Sequence, residues 1–80
     1  MKIKRIEYLA TAVHDMEAMR AILEDKFRMT LEYVEAMAAS NLAMYPIGET
    51  YIELLEGTTP DSGTTKWIEK NGQSLFHICL

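Results

Sequence analysis

The spacing of apolar residues changes period along this chain, and each change marks a predicted element. Residues 3 to 13 (IKRIEYLATAV) mix β-branched, aromatic and small apolar side chains without a turn signal, which predicts a first strand with at least one buried face. His14 and Asp15 end it, His14 reading as solvent exposed. Asp15 is placed to cap a helix whose Met16, Met19, Ile22, Leu23 and Phe27 recur with the helical period and should pack on a sheet. The stripe is rich in methionine, which at this spacing reads as core filling before it reads as an adaptable binding groove. LEYVEAM (31 to 37) returns to an extended pattern and predicts a half-buried second strand led by Leu31 and Tyr33. AAS (38 to 40) connects it to a third strand, NLAMY (41 to 45), and PIGE (46 to 49) carries the Pro and Gly of a hairpin turn. TYIELLE (50 to 56) is the fourth strand. GTTPDSG (57 to 63) reads as a loop, followed by a short helix over residues 64 to 71 that buries Trp67 and Ile68 and stops at Gly72. LFHICL (75 to 80) begins a fifth strand.

The predicted order is strand, helix, three strands, short helix, strand. The fold class is α+β, one βαβββ half-domain over residues 1 to 80: a module core over 1 to 56, a connecting loop and short helix over 57 to 72, and a strand over 73 to 80. Two polar residues interrupt apolar strands, Glu53 in YIELLE and His77 in LFHICL. Strands alternate faces with period two, so Glu53 should share a face with Tyr51 and Leu55, and His77 with Leu75 and Cys79. Each brings one metal-capable atom on a rigid element. The plain alternative is a glutamate facing water and a core histidine satisfied by a backbone carbonyl. Cys79, two positions from His77, can form a thiolate pair with it, but a buried cysteine is ordinarily inert packing.

Composition narrows the function classes. The net charge is −4, with no basic cluster beyond Lys2, Lys4 and Arg5, so a footprint for phosphate backbones is missing and nucleic acid is not an expected partner. No apolar run approaches the roughly 18 residues of a membrane helix. One cysteine cannot form an intrachain disulfide, and charges run through the first residues in place of an apolar signal core, which points to the cytoplasm. An apolar content of 49% is ample for a core, yet a chain of 80 residues buries a modest share of its surface, and self-association is expected.

On these residues the chain resembles the vicinal oxygen chelate superfamily (the glyoxalase, bleomycin-resistance and dioxygenase group), and within it the methylmalonyl-CoA epimerases. MKIKRIEYLATAVHDMEA is similar to the family's opening strand and helix, PIGETYIELLEGTTPDS to its hairpin and following loop, and KWIEKNGQSLFHICL to the joint into a second module. The resemblance implies βαβββ modules paired around a cleft that holds a divalent metal, such as Co, Mn, Zn or Mg. It places a fourth-strand ligand on Glu53 and a fifth-strand ligand on His77, and puts Tyr8 where the family has a first-strand histidine. The third-strand position that carries an acid/base carboxylate in some epimerases falls nearest Asn41. The implied activity is that of an isomerase that removes a proton beside the thioester carbonyl of an acyl-CoA substrate through a metal-stabilised enolate. With half the ligands, this chain alone is expected to be inactive, acting as a homodimer or swapped oligomer or as the front of a two-module protein. The alternative is a noncatalytic module of the same superfamily that binds or sequesters a small molecule, or serves dimerisation.

Overall fold

Five strands and two helices make up the computed structural model, which describes residues 5 to 79. In chain order these are β1 (Tyr8–Ala12), α1 (Met16–Ala21) running into a π-helical turn (Ile22–Lys26), β2 (Tyr33–Ala36), β3 (Ser40–Ile47), β4 (Thr50–Gly57), α2 (Gly63–Asn71) and β5 (Ser74–Cys79). The strands form one mixed sheet in the order β2-β3-β4-β1-β5. β1 lies parallel to β4, and every other pairing is antiparallel. The α+β class read from the sequence is the observed one. Residues 3 and 4 of the expected first strand, and Leu80 of the fifth, lie outside the described residues.

Asp15 caps α1 as expected: its backbone is extended and its side chain accepts a hydrogen bond from the Ala18 amide at 3.1 Å. Met16, Met19 and Leu23 then face the sheet and pack with Val13, Ala43, Tyr45 and Leu54. The rest of the expected stripe does not. Phe27 is 69% exposed, and Ile22 also faces solvent. The cause is the π-helical turn, in which the Phe27 amide reaches back five residues to the Ile22 carbonyl at 3.2 Å. A wider turn advances the period past 3.6 residues, so a position placed on the stripe by an α-helical count rotates off it.

β2 departs from its expected half-burial, since all four of its residues are exposed. It is the sheet edge, with β3 on one side only. β3 is longer than expected and runs through Pro46 and Ile47, leaving Gly48 and Glu49 as the turn, with Gly48 at a positive φ of 61° that favours glycine. Pro46 fits because β2 pairs no farther than Met44, beyond which β3 is itself an edge and tolerates a missing amide donor. In α2, Thr64 and Ile68 are buried and Trp67 is half-buried, its indole N–H donating to Ser74 Oγ at 3.0 Å. Ser62 caps this helix, and Gly72, at φ 76°, ends it where expected. Gly57 allows the close approach: a Cβ there would collide with the Thr65 side chain and lie 2.9 Å from the Thr65 backbone nitrogen. α2 therefore seats at the end of the sheet where β4 stops and β5 begins.

The two faces of the sheet are finished differently. The face under α1 is sealed, with Ala43 and Tyr45 at 0% exposure and Leu54 at 2%. The other, here called the open face, has Ala10, Leu42, Met44 and Leu55 as its floor, with Tyr8, Tyr51 and Phe76 packed against it as a partly buried aromatic rim. Among the described residues no helix is long and apolar enough to cross a membrane.

Candidate functional site on the open face

Register builds the site. Glu53 on β4 pairs with Met44 on β3 and with Ala10 on β1, and Ala10 pairs in turn with His77 on β5. Paired residues share a face, so Met44, Glu53, Ala10 and His77 form one row across four strands. Glu53 and His77 sit two strand spacings apart, about 10 Å between backbones, on either side of Ala10. Ala10 carries a single methyl group, yet it is fully buried. The longer side chains around it, Tyr8 and Phe76 among them, therefore close over it. Tyr51 and Leu55 lie on the same face as Glu53, as the period-two reading expects.

The electrostatics single out Glu53. Its residue exposure is 8%, in a row that is otherwise apolar up to His77. Burial pushes its carboxyl pKa above the ordinary glutamate range, and the nearby His77 imidazole pulls it partly back. A carboxylate in water or in an ion pair would not be desolvated in this way.

β5 carries an irregularity with a direct effect on the site. Ala10 pairs with His77 and Thr11 with Leu75, which leaves Phe76 as an extra residue, a β-bulge. The expected sharing of a face by His77 and Leu75 is thereby overturned: Leu75 joins Thr11 on the opposite face and is half-exposed, and Phe76 takes its place beside His77. The Phe76 and His77 ring centroids are 5.3 Å apart, and Trp67 of α2 lies against Phe76 at 5.2 Å with the rings tilted by 41°. From the other side the Tyr8 ring meets His77 at 5.8 Å in a T-shaped arrangement. Cys79 pairs with Tyr8. That thiol beside the hydroxyl, then burial, raises the Tyr8 phenol above its ordinary range, which works against a phenolate ligand.

Asn41 is not at this site. Its side-chain amide donates to Glu56 Oε1 at 3.2 Å, and Glu56 Oε2 accepts from the Met16 amide at 2.9 Å, so both residues hold the start of α1 on the sealed face. The open face of β3 presents Leu42 and Met44 instead. The carboxylate that sequence reasoning passed over is Glu35, whose pairing with Leu42 puts it on the open face, one row from Glu53 and two strands away, about 12 Å between backbones. The alternation of Tyr33 and Glu35 in LEYVEAM was visible; which face they take was set by a register across β3.

A carboxylate oxygen and an imidazole nitrogen suit a hard or borderline divalent ion. They amount to two donors, and the described residues contain no group of three or more His, Cys, Asp or Glu arranged for a metal. Glu53 and His77 thus bring two donor types to one row of the open face.

Three comparisons bear on this arrangement. No family model matches the chain. A variant of the Streptomyces coelicolor methylmalonyl-CoA epimerase in complex with 2-nitronate-propionyl-CoA superimposes with a TM-score of 0.88 at 30% identity, over 96% of this chain and 59% of that one. A hypothetical protein of Bacillus halodurans gives 0.88 at 26% identity, over 92% and 55% of the two chains. In sequence, the uncharacterized protein YqjC of Bacillus subtilis is 28% identical over 80 residues, 98% of this chain and 57% of that protein. The chain thus spans a little over half the length of the relatives it matches, and it shares over that span the fold of the methylmalonyl-CoA epimerases.

Proposed function

We propose that this chain is an acyl-CoA-handling module of the vicinal oxygen chelate superfamily, related to the methylmalonyl-CoA epimerases and acting in the cytoplasm on a proton beside a thioester carbonyl. A fold alone does not carry a function. What carries this one is Glu53, a desolvated carboxylate that faces a histidine across a fully buried alanine, on the uncovered side of a sheet shared with an epimerase. Core packing gives no reason for an acid there.

In this reading Glu53 and His77 would hold a divalent ion, Co, Mn, Zn or Mg, which when bound would supply Lewis-acid stabilisation of the charge that develops on the substrate. Glu35 is the base. Its carboxylate takes the proton, the C–H electron pair moves onto the thioester carbonyl oxygen, and return of a proton to either face of the resulting enolate completes exchange or inversion. The rim of Tyr8, Tyr51 and Phe76 excludes water from the floor, which strengthens the charges that act there. The remaining ligands and the acid for the opposite face come from a second module, supplied by another copy of the chain as a homodimer or swapped oligomer, or by further sequence.

Solvent deuterium incorporation into methylmalonyl-CoA tests this. The expected result is slow exchange without useful epimerisation by this chain, lost in Glu35→Gln. Absence of both exchange and acyl-CoA binding would defeat the proposal. Binding without exchange would favour the second reading, a noncatalytic module that sequesters its ligand, toward which Tyr8 points because it adds no metal donor.

A further inference from the structure

Three tyrosines line the open face, and their hydroxyls differ in what they have to do. Tyr51 donates to Glu32 Oε1 at 3.0 Å and is occupied by a carboxylate. Tyr33 stands on the exposed edge strand. Tyr8 is one row from Ala10 on the interior strand β1, a diagonal neighbour of both Glu53 and His77, and its ring edge is set against the imidazole. Cys79, its cross-strand partner on β5, puts a thiol on the same face. Sulfur is a weak hydrogen-bond partner, so an incoming oxygen readily takes its place.

We infer that Tyr8 is a ligand-contacting residue, its hydroxyl donating a hydrogen bond to the thioester carbonyl oxygen of an acyl-CoA seated between Glu53 and His77. This rests on the acyl-CoA reading above and adds to it a donor that does not depend on metal. The bulge at Phe76 and the T-shaped contact with His77 hold the phenol ring, with Cys79 as its cross-strand neighbour. A neutral phenol placed in this way does for the carbonyl oxygen what an oxyanion-hole donor does: it binds more tightly as negative charge develops there.

The test compares two probes on wild type and Tyr8→Phe by calorimetry in EDTA: propionyl-CoA, with a neutral carbonyl, and 2-nitronate-propionyl-CoA, whose anionic head imitates the enolate. Hydrogen bonds to charged partners are roughly twice as strong as those between neutral groups. Tyr8→Phe should therefore weaken the nitronate about 10-fold or more and propionyl-CoA about 3-fold, with unchanged thermal unfolding. Should Tyr8→Phe fail to fold, Cys79→Ser places a stronger hydrogen-bond partner across the strand from Tyr8 to compete for its hydroxyl, and nitronate affinity should again fall. Equal affinity in wild type and variant, or equal losses for the two probes, overturns the assignment of Tyr8 and leaves the acyl-CoA reading intact. Failure of wild type to bind either probe, with or without metal, defeats both.

Discussion

Replacing Glu53 with methionine should stabilise the fold at neutral pH. The side chain is 8% exposed, lies between Met44 and Ala10, and has burial as the main influence on its carboxyl, with His77 a partial offset. A buried polar group without a full partner costs about 1 to 3 kcal/mol, more when charged. Methionine has the same unbranched length and adds apolar contact beside Met44, so the change should follow the lower part of that range, about 1 to 2 kcal/mol. In a domain of this size that raises the unfolding midpoint by roughly 5 to 15 °C. The pH dependence separates this cause from better packing. A carboxyl whose folded pKa lies above its unfolded value binds its proton more tightly when folded, so its favourable contribution is complete below the unfolded value of about 4.3 and is lost as pH rises through the folded pKa. Wild type therefore carries the cost at neutral pH and escapes it in acid. Urea unfolding of both proteins, followed by circular dichroism on the two sides of that window, should show a gain for Glu53→Met that shrinks on acidification. A loss of stability at neutral pH, or a gain that does not change with pH, would refute the reasoning.

Tyr8→His should tighten Zn or Co binding by at least about tenfold, since it adds a nitrogen donor beside Glu53 and His77, and calorimetric titration against wild type measures it. Asn41→Ala should leave the affinity for 2-nitronate-propionyl-CoA unchanged while lowering the midpoint of thermal unfolding, because Asn41 serves Glu56 and the start of α1 on the other face. Sedimentation at micromolar concentration should show self-association: β2 is an exposed edge, β5 presents half-exposed Leu75 and Ile78, and both offer unpaired strand to another copy. A single species with no dependence on concentration would exclude it.

What could be read from the chain divides along one physical line. Features set by near neighbours were legible: the alternation that puts Glu53 with Tyr51 and Leu55, the Asp15 cap, the Gly72 stop, and the strand and helix order that defines the fold. Features set by pairing between distant segments were not. The bulge at Phe76 exists because β5 must match β1, so LFHICL read alone misassigns Leu75. Asn41 and Glu35 exchange their expected relevance because the register of β3 against β2 and β4 decides which face each side chain takes. Phe27 belonged to an apolar stripe only as long as the helix kept its α period. Glu53 and His77 were visible as misplaced polar residues, whereas their place in one row on either side of Ala10 needed the pairing of β1 with β4 and with β5.

The central claim, that the open face around Glu53 is the acyl-CoA site, is tested most directly by amide chemical shifts of the labelled chain during titration with 2-nitronate-propionyl-CoA. The shifts should concentrate at Tyr8, Ala10, Glu35, Met44, Glu53 and His77 and fade in Glu53→Gln; no perturbation at saturating ligand, or shifts confined to α1 and the π-helical turn on the opposite face, would contradict it.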